Sequence, residues 1–367
     1  MKKSIAIFSV NSQYKIGGAE SCISSMVELL SDNYDVTVIS GKRNLYERHS
    51  KYSYNKIKQI PLINVKYLNY LGNFLNYFLI YRFFSKYDFD LVIGNCSTCI
   101  GAINACIDKN KESVYYVHEE FSLNRRVEYG RKNTIKGKFL REARKLLDAP
   151  FFLFHKSRNL KALNHCSHVV VNSEFIKREL KYICSNTTST IYPFTEVKSK
   201  YSTKNNAGKY ITMVGSGEVK GISIFLDIAR KMPNVQFRVV GRNFNKKQVE
   251  NVLYHPFFDD IEELYTTTKI LLVPSIWQEA FGKVSVEAAS FGVPVIVSNR
   301  GGLPETVVSD ELIVKDIYNS ELWVEKVNTV LSNRDYWALN NKNFVQRFDH
   351  SYDYKKLSNL IEELIDE

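Results

Sequence analysis

Two carboxylates in the stretch QEAFGKVSVEAASFGVP, Glu279 and Glu287, stand eight positions apart across a turn that leads into a helix. A helix opening near Gly282 and running to Ala289 leaves the amides of Ala280, Phe281 and Gly282 without intrahelical partners. Such a start attracts an anion or the hydroxyls of a sugar. At a rise of about 1.5 Å per residue, Glu287 lies roughly 7–8 Å further along the helix axis, about the reach from a sugar ring, past a diphosphate, to a ribose. An ionised acid is a strong acceptor at either end of that span. The same spacing also fits a helix whose acids serve only its dipole and its solvated face.

Two more glycine-bearing loops follow strand-like runs and open helices. In GGAE (17–20), Gly17 and Gly18 let main-chain amides approach an anion at a helix N-terminus, although the pattern is neither G-x-G-x-x-G nor a Walker loop. In VGSGEVKG (214–221), Gly215 and Ser216 precede Lys220, whose compact charge beside a helix start suits a diphosphate. His118 closes the run YYVHEE, where its side chain faces either a ligand or the core. CSTC (96–99) has metal-ligand spacing but no second Cys/His pair to complete a site, and the six cysteines are expected to be reduced thiols. DFD (88–90) reads as acids flanking a strand start, and no essential metal is expected.

The elements that must position these residues alternate between β and helical type, which is the mark of parallel α/β construction. Strand-like runs occupy 4–10, 35–40, 90–95, 113–119, 168–173 and 189–194; helix candidates include 19–32 and 173–183, the latter capped by Ser173. A polar, Asn-rich stretch over 195–209 reads as a linker. The alternation restarts with strands at 210–216, 235–241, 251–257, 270–275, 294–299 and 311–316, and helices at 221–232, 260–268, 320–333 and 354–367. At 367 residues, two domains are expected. The first covers 1–195 and the second 210–350, with helix 351–367 crossing back onto the first and a ligand cleft between the two Rossmann-like folds.

Composition is that of an ordinary globular chain, 44% hydrophobic and 24% charged. The start MKKSIAIFSVNSQ lacks a cleavage site and reads as a first strand, and FLNYFLIYRFF is too short and too interrupted to span a bilayer, so a cytoplasmic location is expected. The net charge of +11 is local: residues 122–161 hold twelve Lys/Arg against three Asp/Glu, beside Phe139, Leu140, Leu146, Leu147 and PFFLF. That combination suits an anionic membrane surface or a solvated basic face, and no nucleic-acid module accompanies it.

The run LLVPSIWQEAFGKVSVEAASFGVPVIVSNRGGLPETV (271–307) resembles the donor-binding signature of the family 4 retaining glycosyltransferases, which have the GT-B fold. GGAE, YYVHEE, VVVNSEFIKREL and VKGISIFLDIARKMPNVQFRVVG fall in that family's order, so the resemblance spans nearly the whole chain. It implies a hexosyltransferase (EC 2.4) that moves a sugar from a UDP- or GDP-sugar to a glycan or lipid-linked acceptor, with retention and without cofactor or metal. The implied setting is bacterial surface polysaccharide or glycoconjugate synthesis, with the enzyme cytoplasmic or peripheral on the inner face of the cell membrane. By this resemblance Glu279 engages the donor sugar, Glu287 the ribose, Gly18 and Lys220 the diphosphate, and His118 the donor-sugar side. Ala280, Phe281, Gly282 and Lys283 surround the sugar, and Gly17, Gly215, Ser216 and Arg242 complete the donor set. Glu279, His118 and Lys220 are the implied catalytic residues. One departure is Ser216, where the family often has an arginine; the Gly-Ser-Gly backbone or Arg242 is the candidate compensation. Two alternatives stay open, another sugar-nucleotide enzyme such as an epimerase and a catalytically silent donor-binding partner.

Overall fold

The computed structural model describes residues 2–14, 17–42, 51–65, 68–123, 135–197, 208–242 and 244–365. The chain forms two compact units, Met1–Phe194 with Ser351–Glu367, and Thr195–His350. Both are parallel-sheet α/β structures with flanking helices.

The first unit contains strands β1 (Ser4–Ser9), β2 (Asp35–Lys42), β3 (Ile57–Pro61), β4 (Leu91–Asn95), β5 (Glu112–Val117), β6 (His168–Val171) and β7 (Thr188–Thr190). They pair in the order β3-β2-β1-β4-β5-β6-β7, parallel throughout. Helices α1 (Gly18–Ser31), α2 (Asn69–Lys86), α3 (Ile100–Asp108), α4 (Ile135–His165) and α5 (Glu174–Leu180) make the crossovers. Central strands such as β1 and β4 are buried almost end to end, as helices on both faces require. Helix α1 buries Cys22, Ile23, Met26, Val27 and Leu30, one stripe at helical spacing. Ser173 caps α5 by accepting from the Ile176 amide at 3.1 Å.

The second unit contains β8 (Tyr210–Val214), β9 (Phe237–Val240), β10 (Lys247–Val249), β11 (Val252–His255), β12 (Thr268–Val273), β13 (Val295–Ser298) and β14 (Ile313–Val314). Their order is β10-β11-β9-β8-β12-β13-β14, with only the β10–β11 hairpin antiparallel among the described pairs. Its helices are α6 (Ile222–Lys231), α7 (Ile261–Thr266), α8 (Lys283–Ser290), α9 (Ser320–Ser332) and α10 (Arg334–Val345); α11 (His350–Ile365) follows. In each sheet the strand order reverses once near the middle, between β1 and β4 and between β8 and β12.

Six elements have no counterpart in the sequence reading: β3, β10, α2, α3, α4 and α10. Strand β3 (IKQIP) is a half-exposed edge carrying Lys and Pro, and β10 is three exposed residues. Helix α2 is aromatic nearly all round, which hides its buried face of Asn76, Tyr77, Ile80 and Phe84, and α10 is Asn-rich. No helix among the described residues is long and apolar enough to cross a membrane. DFD lies at the amino end of β4, where Asp90 accepts from Ser4 N and Oγ at 2.7 Å and Asp88 faces Lys109 and Lys111. Those bonds hold the Asp90 carboxyl below its ordinary range. All six cysteines are free, and burial pushes the Cys96 and Cys99 thiols of CSTC well above the ordinary thiol range.

Candidate functional site

The reversal between β8 and β12 brings the loops at their carboxyl ends together, the place where open α/β sheets take ligands. After β8 the chain passes through Gly215 (φ 115°) and Ser216 into a short 3-10 turn, Glu218–Lys220, and then Gly221 (φ 83°). Gly221 is obligatory on two counts: its backbone is left-handed, and a Cβ there would overlap the Pro274 carbonyl at the end of β12. The Val219 carbonyl accepts from the amides of Ile276 and Trp277 at 3.0 and 3.2 Å, which fastens the two loops.

Lys220 and Glu279 meet in consequence. The ammonium donates to Glu279 Oε1 at 2.5 Å and lies 5.8 Å from the Trp277 ring centroid. Ser275 Oγ donates to the same Oε1 at 2.6 Å, while Oε2 accepts no hydrogen bond among the described residues. One side of the acid is therefore fixed and charge-balanced, and the other is left to accept from a hydroxyl. A lysine ammonium carries three donors, so Lys220 can serve a second anion without leaving Glu279.

Helix α8 starts at Lys283 with Gly282 as its N-cap, φ 130° and ψ 50°. Phe281 is buried and packs edge-on against Phe348, 5.2 Å between centroids, which fixes the turn from which the helix opens. Glu287 lies one turn beyond Lys283, its Oε1 3.9 Å from the ammonium, and its Oε2 accepts from Tyr265 Oη at 3.2 Å. Partial burial pushes its carboxyl above the ordinary range against the opposing pull of Lys283 and Tyr265. Ser216 abuts Gly241, where a Cβ would strike Ser216 Cβ at 2.6 Å, so Arg242 is next to the position of the absent arginine; its guanidinium sits 5.6 Å from the Phe257 ring.

The sequence reading missed the residues that hold Glu279. Besides Ser275 these are Gln278, Gly301 and Gly302: the Gly302 amide donates to the Glu279 carbonyl at 2.7 Å, and the Gly301 amide to Gln278 Oε1 at 2.5 Å. Gly301 has φ 63°, and a Cβ on it would run into the Glu279 main chain. The visible signal was the doublet in SNRGGLPE.

The remaining candidates belong to the first unit. Gly17, with extended backbone, is the N-cap of α1, and both Gly17 and Gly18 are exposed. His118 follows β5, is 8% exposed, lies tilted by 32° against Tyr116 with centroids 3.9 Å apart, and hydrogen-bonds through Nε2 to Asn95 Oδ1 at 3.0 Å. Nearby, Glu119 Oε1 accepts from Ser97 N and Oγ at 2.8 and 2.6 Å. No group of three or more His, Cys, Asp or Glu suited to a metal ion occurs among the described residues. In the basic stretch, Arg125 and Arg126 lie outside the described residues, as do the side chains of Lys136, Lys138 and Arg141. Within α4, Leu146, Leu147 and Leu153 are exposed, and Lys145 donates to Glu142 at 2.8 Å.

Residues 16–197 match the family model for glycosyltransferase family 4, and residues 194–347 match that for glycosyl transferases group 1. The chain belongs to glycosyltransferase family 4. Among curated relatives it is 28% identical to spore coat protein SA of Bacillus subtilis over 40% of this chain and 50% of that protein. It is 24% identical to an uncharacterised glycosyltransferase of Methanocaldococcus jannaschii over 87% of this chain and 89% of that one. The match to the first of these relatives thus spans about half its length. Sucrose-phosphate synthase of Thermosynechococcus elongatus superposes with a TM-score of 0.77 at 16% identity, covering 100% of both chains. HepE of Anabaena, solved with UDP and glucose, gives 0.72 at 17%, covering 99% of this chain and 100% of that one. These likenesses show the GT-B fold.

Proposed function

We propose that this member of family 4 transfers a hexosyl group, with retention, from a nucleoside diphosphate sugar to a glycan or lipid-linked acceptor. The setting is bacterial surface polysaccharide or glycoconjugate synthesis, with the donor held by the second unit and the acceptor by the first. The observation that carries the reading is the Lys220–Glu279 pair, set where the β8 and β12 loops meet and flanked by the N-terminus of α8. Glu279 Oε2 accepts from a donor-sugar hydroxyl. Lys220, the Gly215–Gly217 backbone and Arg242 face the diphosphate, and Glu287 accepts from the ribose. Charge on the departing diphosphate is then met by Lys220 and helix-end amides rather than by a metal, a stabilisation realised most fully in the transition state. The bound UDP in HepE supports a uridine donor.

The exposed leucines of α4 beside its basic residues support peripheral attachment to an anionic membrane face, which places the enzyme at a lipid-linked acceptor. Flotation with anionic vesicles at low salt, repeated at high salt, tests that part.

The decisive experiment titrates UDP, GDP and their sugars by calorimetry and then follows transfer by mass spectrometry in the presence of EDTA. Uridine nucleotides should bind and turnover should survive the chelator. Lys220→Ala should lose about 3 kcal/mol of transition-state stabilisation, a rate fall of roughly two orders of magnitude. Donor binding without transfer or hydrolysis would favour a silent partner, and donor epimerisation without an acceptor would favour an epimerase; either outcome sinks the transferase reading.

A further inference from the structure

One histidine at the carboxyl edge of the second sheet has no role in the site built around Glu279. His255 is the last residue of β11, and its ring is half-buried. Nδ1 lies 2.7 Å from the Pro256 carbonyl oxygen. A carbonyl can only accept, so Nδ1 carries a proton and the neutral ring presents Nε2 as an acceptor. Nε2 has no hydrogen-bond partner among the described residues, and it is not one of the buried polar atoms sealed from solvent.

The imidazole is held in one plane. It stacks on Phe258, with centroids 4.1 Å and planes 12° apart. Behind Phe258 the Arg238 guanidinium lies 5.0 Å from that ring and 4.9 Å from the ring of Tyr210. Arg238 is 2% exposed and donates to the Leu264 carbonyl and to the hydroxyls of Thr212, Thr267 and Thr268. A buried cation so anchored backs the aromatic pair, and the direction of the Nε2 lone pair is set before anything binds.

Register puts the ring on the side of the sheet that carries Glu287. Leu253 pairs with Arg238, and His255, two residues on, lies on the same face. Arg238 meets α7 on that face, and Tyr265 of α7 donates to Glu287 Oε2 at 3.2 Å. The order β11-β9-β8 sets His255 two strand spacings, about 10 Å, from the Gly215–Gly217 loop. The main chain links them: the Gly241 amide donates to the His255 carbonyl at 2.9 Å, and Gly241 abuts Ser216. With a diphosphate at that loop and a ribose on Glu287, the base of the nucleotide falls at the end of β11.

We propose that His255 selects the base of the donor, its Nε2 accepting the ring imino N–H of uracil or guanine. The inference rests on the transferase reading for the presence of a nucleotide and adds which bases are admitted. Cytosine and adenine present an unprotonated ring nitrogen at the same position, lone pair against lone pair, so their nucleotides are rejected.

The test titrates the full-length chain by calorimetry with UDP, CDP, N3-methyl-UDP, GDP and ADP. UDP should bind about tenfold or more tightly than CDP or N3-methyl-UDP, or GDP than ADP, since each pair differs at the edge that meets Nε2. His255→Phe keeps the ring stack without the acceptor and should bring the preferred nucleotide down to the affinity of its counterpart. His255→Gln, which offers both an acceptor and a donor, should keep the preferred nucleotide and gain the other. Nitrogen-15 spectra of the histidine rings, with His255 assigned through His255→Gln, should show Nε2 shifting with the preferred nucleotide. A preference for CDP or ADP, a ratio unchanged in His255→Phe, or an Nε2 resonance that ignores the bound nucleotide overturns the proposal and leaves the transferase reading standing. A chain that binds none of the five defeats the donor assignment and this inference together. Should His255→Phe not fold, the wild-type comparison of UDP with N3-methyl-UDP and the wild-type spectra carry the same decision.

Discussion

Glu287 is a carboxyl kept where its charge is disfavoured, and that shows in pH dependence. Its folded-state pKa is raised by burial, so between the ordinary glutamate range and the raised value the native chain holds more protons than the unfolded one. Stability from this group is therefore greatest at low pH and declines as pH rises through that interval. Glu287→Gln should flatten the decline and raise the melting temperature at neutral pH in the nucleotide-free protein. UDP should show the opposite trend: ribose hydroxyls favour the ionised acid, so wild-type affinity should climb with pH over the same interval and drop in the variant. Melting curves and calorimetry from pH 4 upward check both; a variant with wild-type profiles in each would remove Glu287 from the nucleotide site.

At the scale of elements, the site depends on loops whose glycines cannot be exchanged. The Gly301–Gly302 turn after β13 grips the main chain of Glu279, and Gly301 combines φ 63° with contact too close for a Cβ. Gly301→Ala should destabilise the second unit by more than about 1 kcal/mol, because the native conformation suits the new residue badly. It should also lower kcat more than it raises the KM for donor, since it displaces Glu279 while leaving Glu287 on its own helix. Steady-state kinetics with denaturant melts would show this, and unchanged kcat would mean that the turn does not position Glu279.

At the scale of the molecule, the chain leaves the first unit at Phe194 and returns to it at Ser351. Helix α11 brings Leu357, Leu360, Ile361 and Ile365 into a core with Ile5, Ile7, Ile23, Met26 and Leu30 from β1 and α1. The first unit is thus completed by a segment that follows the second unit in sequence. Ile361→Ala should cost about 2–5 kcal/mol, read as an earlier transition in chemical denaturation. A chain ending at residue 350 should lose cooperative unfolding of the first unit while the second unit's transition persists. Retention of both transitions in the truncated chain would refute the dependence.

Alternation of apolar runs with amphipathic stretches was enough to establish two parallel α/β units, because buried central strands and crossover helices carry their periodicity locally. The glycine loops and the glutamate pair were legible for the same reason: left-handed turns and helix starts are written in neighbouring residues. Elements with weak local patterns, β3, β10, α2 and α10, were not legible, since an edge strand, a short hairpin arm, an all-round aromatic helix and an Asn-rich helix take their form from what they pack on. Contacts between distant residues were invisible too. That Lys220 would donate to Glu279 across 59 positions and that Gly302 would hold the same glutamate follow from strand order. The sequence by itself determined which chemical groups are present and on which elements they ride; the tertiary structure decided which of them meet, because hydrogen bonds and ion pairs act over a few ångströms while the chain brings their partners from tens of residues away.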